Sequence, residues 1–329
     1  MERRRQNGLT LVEIMVAVGI LVIVVAGVME SFVVNNRAYT VVDQTTETQQ
    51  NSRAVGQLLE QDLRMTGFMV PEGAVACGRD SQQAGALASL LAGTDVLYVT
   101  NPDPIDPDGQ SQASLGAPLS AGSGPTATSS TITLGDLTLE GRAYYDVDGN
   151  GAADSDFLKG GGVIVMDRSN VARGTACGVV RDIIVGTRQL IVDWEAGFTG
   201  SVGTLVAIPA HRYAVDTNNN LTRDGVSIVS DVEDLQIAYF IDSNDNGTAD
   251  PNEYKGDGTS PNYNPNGTNH SDLREIRFDL VLRSRLDDPS FHDGAFQPSE
   301  NREAVAGTDG FRRRELHTTV KPRNLGFRG

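Results

Sequence analysis

The chain has 329 residues, room for one large or two modest domains with a substantial core. Glycine is frequent, at 36 residues, and aromatic residues make up only 6%, a composition that suits a β-rich domain with many turns. The formal net charge of −16 repels phosphate backbones and excludes direct nucleic-acid binding as a main role.

The first element is apolar. The run from Leu9 to Met29 is long enough to cross a bilayer as a helix, which takes about twenty such residues. Arg3, Arg4 and Arg5 ahead of it hold the N-terminus in the cytoplasm and send the rest outward. A secretory signal has a shorter apolar core followed by a small-residue cleavage site; here the run is longer and Ala26-Gly27 is a poor site of that kind. One carboxylate, Glu13, interrupts the run, and a charge at that depth costs roughly 2.5 kcal/mol or more, so it reads as functional and in need of a partner.

The segment "NGLTLVEIMVA" resembles the class III signal of type IV pilins and type II secretion pseudopilins: a basic leader, a glycine, an apolar residue and a glutamate at the fifth mature position. The resemblance implies that a membrane-embedded prepilin peptidase cuts after Gly8 and methylates the new amino terminus at Leu9, where phenylalanine is the commonest residue of the family. It also implies that Glu13 is the assembly carboxylate. Physically, cleavage exposes an ammonium at Leu9 that a neighbouring subunit's Glu13 neutralises where Coulomb attraction is weakly screened, which makes the pair a register device. Loss of residues 1–8 leaves a mature chain near −18.

The helix is expected to continue to about Thr66. In "SRAVGQLLEQDLRMTGF" the residues Val55, Leu58, Leu59 and Leu63 recur at helical spacing and form one buried stripe, Glu60, Asp62 and Arg64 face away, and Gly67 is the stop. The expected division is a leader at 1–8, a membrane and assembly helix at 9–30, its continuation at 31–67 and a head at 68–329.

Beyond the helix the hydrophobic period changes from 3.6 to 2. "GTDVLYVT", "STITLGDLTLE", "GGVIVMD", "ACGVVRDIIVG", "GTLVAIPAHRYAVD", "GVSIVSDVEDLQIAYFID" and "LREIRFDLVLRSR" read as strands bounded by turn residues, without the helix alternation of parallel βαβ units. Residues 101–130, rich in Pro, Gly, Ser and Ala, and residues 252–272 read as irregular loops. Arg312, Arg313 and Arg314 fall on the last expected strand and read as a solvated edge.

"LEQDLRMTGF", "HRYAVDTNNNLTRDG", "VEDLQIAYFID" and "RRRELHTTVKPRN" together resemble PilW-like minor pilins, in order and at comparable spacing. The fold implied is α+β, the pilin fold: a long N-terminal helix, membrane-spanning in its first half, packed on a large antiparallel head. The function implied is that of a minor pilin at or near the tip of a type IV pilus, helping to initiate assembly and to present a tip adhesin for adhesion and twitching motility. Implied partners are other minor pilins, the major pilin, a calcium-dependent tip adhesin, the prepilin peptidase and the inner-membrane assembly platform. The expected location is the inner membrane with the head in the periplasm, then the pilus at the cell surface. The alternatives are a GspJ-like pseudopilin of type II secretion and a pilin-anchored surface adhesin.

Cys77 and Cys177 are the two cysteines, both beyond the membrane run, and the oxidising periplasm favours their disulfide over two free buried thiols. "DSNDNGTADPNE" matches the calcium-loop pattern D-x-[DN]-x-[DN]-G-x5-E, with oxygen ligands from Asp242, Asn244, Asn246, the Thr248 carbonyl, Asp250 and Glu253, and Gly247 at the turn. The competing reading is a polar hairpin loop. A second run offers Asp146, Asp148, Asn150 and Asp154, with Phe157 in place of the final glutamate and Asp156 as its substitute. "DTNNNLTRD" from Asp216 reads as a hairpin, and His211 as surface or hairpin packing. No zinc-protease, nucleophile-elbow or P-loop motif occurs, and nothing in the sequence points to an enzyme.

Overall fold

A computed structural model describes residues 10–68, 70, 73–81, 90–101, 129–138, 143–167, 169–170, 174–195, 205–248, 250, 252–256, 272–292, 299–302 and 309–323. The expected irregular loops at 101–130 and 252–272 lie largely outside these residues. The chain divides into two compact units, Met1–Glu47 and Thr48–Gly329.

Helix α1, Leu11–Met65, runs through both units. It starts on a capping box: the Thr10 N–H and hydroxyl both donate to Glu13 Oε2 at 2.9 Å, and the Glu13 N–H donates back to Thr10 Oγ1 at 3.3 Å. In the first unit the apolar side chains from Leu11 to Tyr39 are exposed, and the helix is long and apolar enough to cross a membrane. The helix ends before Gly67, whose φ of 78° is the left-handed conformation that closes helices and favours glycine.

In the second unit the last turns of α1 bury Val55, Leu59 and Leu63, as their spacing predicts. Asp62 departs from expectation: it is buried too, because it has partners inside. Among the described residues thirteen strands follow: β1 Ala76–Arg79, β2 Val96–Thr100, β3 Ser129–Thr133, β4 Gly162–Asp167, β5 Thr175–Ile184, β6 Gln189–Trp194, β7 Leu205–Val215, β8 Leu221–Arg223, β9 Val226–Val229, β10 Val232–Ile241, β11 Tyr254–Lys255, β12 Leu273–Arg283 and β13 Arg313–Val320. Every pairing described is antiparallel, so the α+β expectation of a long helix and an antiparallel head holds.

The strands form two sheets. The larger runs β1-β2-β7-β4-β5-β6-β3, with β8 on β7 and β9 on β8; the smaller runs β11-β10-β12-β13. Alternation along β2 sends Leu97 and Val99 to a core shared with α1 and the smaller sheet, and Val96 and Tyr98 to a core on the opposite face. A third core gathers Ile132, Val163, Val192 and Trp194.

Two sequence expectations change. "GVSIVSDVEDLQIAYFID" is two strands, broken where Asp231 adopts φ 61°. "STITLGDLTLE" is strand only to Thr133, although Leu134 and Leu137 remain buried. Strand β6 is absent from the expected set; in the structure it alternates half-buried and buried residues, and the left-handed Arg188 makes the turn that brings it back onto β5.

Candidate functional site

Gly8 and Leu9 lie outside the described residues. Glu13 is described, and its carboxylate has an intrachain role that the charge-cost argument missed: it is the third residue of the capping box with Thr10. The T-x-x-E spacing ahead of an apolar run was the available signal.

The 242–253 loop curls its side chains inward. Asp242, 2% exposed, accepts the Asn246 N–H at 3.1 Å and the Gly247 N–H at 3.0 Å. Gly247 sits at φ 71°. Glu253, 4% exposed, accepts the N–H groups of Ser243 at 2.9 Å, Asn244 at 3.3 Å and Asp250 at 3.3 Å. Asp250 Oδ2 receives the side-chain amides of Asn244 at 3.0 Å and Asn246 at 2.9 Å. Thr248 donates its N–H to Asn246 Oδ1 at 2.7 Å. A cation, the guanidinium of Arg274, lies 3.2 Å from Asp245 and 3.6 Å from Asp242.

The 146–156 loop gathers its carboxylates more closely: ligand oxygens of Asp146, Asp148 and Asp154 all lie within 4.8 Å of one another. Asp146 accepts N–H groups from Gly149, Asn150 and Gly151, and the Asn150 side chain turns to Asp148. Asp156 stands outside that group; it is 1% exposed and accepts the Tyr144 N–H at 3.1 Å. Phe157, in the place of the final glutamate, is buried in the core beside Trp194.

Cys77 and Cys177 form a disulfide with Cα atoms 6.1 Å apart, tying β1 to β5. The "DTNNNLTRD" run is the β7–β8 hairpin, with Asp216 accepting the N–H groups of Asn218 and Asn220. Of Arg312, just ahead of β13, and Arg313 and Arg314 on it, only Arg314 is exposed. Arg312 pairs with Asp288, and Arg313 is held by the distant Glu233 and by the nearby Asp309, so the solvated-edge reading is corrected for those two by ion pairs.

A polar relay beneath the last turns of α1 escaped the sequence reading altogether. Tyr213 donates its hydroxyl to Asp62 at 2.5 Å, and Arg223 contacts the same carboxylate at 2.8 Å. Arg223 Nη2 also lies 2.8 Å from His211 Nε2, and His211 Nδ1 lies 2.6 Å from Asp224. His211 is thus hairpin packing and not surface, at 3% exposure in the middle of β7. Burial, then the Asp62 charge, pushes the Tyr213 hydroxyl far above its ordinary value. One turn on, Thr66 donates its hydroxyl to the Val75 carbonyl, and the Gly67 N–H donates to Thr100 Oγ1 at 2.8 Å. "DLRMTG" is therefore a fastening sequence that docks the helix end on β2, β7 and β8.

A second group, Asp279, Glu300 and His317, also brings ligand atoms within 4.8 Å, but Arg277 binds both oxygens of Glu300 and so already neutralises it.

Two families match, one at each end. Residues 3–29 match the family described as "Prokaryotic N-terminal methylation motif", and residues 199–324 match "Type IV Pilus-assembly protein W". Among solved structures, a type IV-like pilin from Thermus thermophilus aligns with 14% identity and a TM-score of 0.22, covering 50% of this chain and 85% of its own. No curated protein matches. An apolar, capped N-terminal helix that carries the methylation motif defines a pilin-class, membrane-anchored structural protein, not an enzyme. Within that class, residues 199–324 make the chain similar, over its last strands, to the type IV pilus-assembly family.

Proposed function

We propose that this minor pilin is built in at or near the tip of a type IV pilus, where it helps to initiate assembly and presents a tip adhesin. The carrying observation is the combination of an exposed apolar helix bearing Glu13 with a large head whose last strands match the pilus-assembly family. In this reading Gly8 is the last leader residue, Leu9 the methylated terminus, and the head is periplasmic before assembly and at the cell surface afterwards. Its partners are other minor pilins, the major pilin, the adhesin and the assembly platform. Counting surface pili in a deletion strain and its complemented control, while assaying secreted proteins, tests the role. Lost pili with normal secretion supports it; normal pili with trapped exoproteins moves the protein to a GspJ-like secretion pseudopilin.

Glu13 carries two separable duties in this reading, cap and intersubunit partner. Glu13→Gln keeps a capping-box amide but removes the charge. Leader cleavage with failed assembly in both Glu13→Gln and Glu13→Ala supports the charge role, whereas assembly rescued by Gln reduces Glu13 to a helix cap.

We further propose that calcium fills the 242–253 loop, through Asp242, Asn244, Asn246, Thr248, Asp250 and Glu253, and the 146–154 loop, through Asp146, Asp148, Asn150 and Asp154. The support is a hard-oxygen donor set at alternating positions, with two buried carboxylates in the first loop. Binding to the folded state alone raises its stability. Chelation is expected to lower the melting temperature of the full chain in detergent; an unchanged melt with no heat of calcium titration sinks the idea.

A further inference from the structure

Residues 93–95 form one of the hydrogen-bonded joints between the two sheets. The Asp95 N–H donates to the Leu235 carbonyl at 2.8 Å, and Asp95 Oδ2 accepts the Ile237 N–H at 2.8 Å. Gln236 Nε2 reaches the Gly93 carbonyl at 2.8 Å. A side chain thus completes the β10 ladder where β11, which pairs only with Tyr239 and Phe240, does not reach. The second oxygen of Asp95 accepts the Ser81 N–H at 2.8 Å.

Three carboxylates crowd this joint, all 2% exposed or less: Asp80 after β1, Asp95 before β2 and Asp234 on β10. Asp80 Oδ2 accepts the Asn301 side-chain amide at 2.7 Å, so Asp80 and Asp95 are both supplied with donors. Asp234 Oδ1 takes Arg302 Nη1 at 2.7 Å and Gln236 Nε2 at 2.8 Å, whereas Asp234 Oδ2 and Gln236 Oε1 are buried without a hydrogen-bond partner. The Gln236 amide cannot turn over to help, since its nitrogen already serves two acceptors. The other charged groups facing the joint are accounted for: Glu233 holds Arg313, and Arg302 is the cation on Asp234. Asp234 Oδ2 and Gln236 Oε1 find no donor among the described residues, and unpartnered acceptors in a dry site are costly.

We propose that the Asp80–Asp95–Asp234 cluster is a proton-binding splice between the two sheets, which tightens the head in mild acid and loosens it as the pH rises. A proton on Asp234 Oδ2 removes the charge from a buried oxygen that has no donor. Burial pushes the Asp234 carboxyl up to about 6, against the pull of Arg302. Burial, then the charge of Asp80, also pushes Asp95 well above the carboxylate range, with Asp234 contributing. The folded state therefore holds protons that the unfolded chain releases, and the stability they contribute is lost as the pH rises through the folded value.

The test is thermal melting of the full chain in detergent at about pH 5 and about pH 7.5, on either side of the titration, with Asp234→Asn beside wild type. The amide places a permanent donor at the unpartnered Oδ2 position and keeps Oδ1 for Arg302 and Gln236. Wild type is expected to melt several degrees higher in acid, and Asp234→Asn to lose at least half of that difference. Infrared spectra should show a protonated-carboxyl band in wild type at about pH 5 that weakens in the variant. Should Asp234→Asn fail to fold, Asp80→Asn, which removes a like charge beside Asp95, serves in its place and should likewise shrink the difference. Equal melting of wild type at the two pH values, or a variant that keeps the full wild-type dependence, overturns the proposal.

Discussion

Replacing Asp62 with alanine removes the fastening point between α1 and the β7–β8 hairpin. Asp62 is 8% exposed, and its carboxylate serves two groups at once, the Tyr213 hydroxyl at 2.5 Å and the Arg223 guanidinium at 2.8 Å. Breaking a buried ion pair from one side costs about 3–5 kcal/mol, because the remaining charge is left without a partner. Arg223, with its side chain 27% exposed, can recover part of its hydration, which places the expected loss near the lower end, about 3 kcal/mol. For a head of this size each kcal/mol moves the midpoint by about 2–4 °C. The fluorescence of Trp194, the single tryptophan and a buried one, reports the melt. Arg223→Ala and the double variant complete the cycle, and a coupling above about 1 kcal/mol is expected for residues in direct contact. A loss under about 1 kcal/mol for Asp62→Ala, or additive single variants, would refute the claim that this pair fastens the helix.

At the next turn, Thr66→Val is expected to cost only about 1 kcal/mol, since the Val75 carbonyl keeps the Thr100 N–H and Thr100 Oγ1 keeps the Gly67 N–H. Thr100→Val strips that N–H of its acceptor and should cost about 2–3 kcal/mol in the same denaturant titration; equal losses would contradict this ordering. Replacing Cys77 and Cys177 together by alanine opens a bridge between residues 100 apart and is expected to cost about 3–5 kcal/mol, read from the urea midpoint; an unchanged midpoint would mean that core packing alone holds β1 on β5. Glu253→Gln and Asp154→Asn, each measured by calcium titration calorimetry, separate the two loops: each should abolish one class of site and leave the other, and two unaltered isotherms would remove both loops from the calcium reading.

Much of the architecture is local and was legible. The α1 stripe of Val55, Leu59 and Leu63 follows from the helical period, and β2, β4 and β7, buried at every position, were legible as apolar runs bounded by turn residues. With two cysteines, one pairing was available. The capping box is equally local, since Thr10 and Glu13 stand three residues apart ahead of the apolar run.

What the tertiary structure decided concerns contacts between residues far apart in sequence. Asp62 looks like a surface residue by composition, and becomes an interior one because Tyr213 and Arg223, about 150 residues later, arrive beneath it. Arg313 looks like a solvated edge until Glu233, from the start of β10, closes on it. Asp95 looks like a strand boundary, and becomes a rung between two sheets only when β10 presents Leu235 and Ile237 beside it. By itself the sequence determined the anchor, the methylation signal, the helix and the alternation of the strands, since each depends on hydrophobic period and short-range hydrogen bonding. The tertiary structure decided which polar groups are buried, because burying a charge costs several kcal/mol and is tolerated only where the fold delivers a partner from elsewhere in the chain.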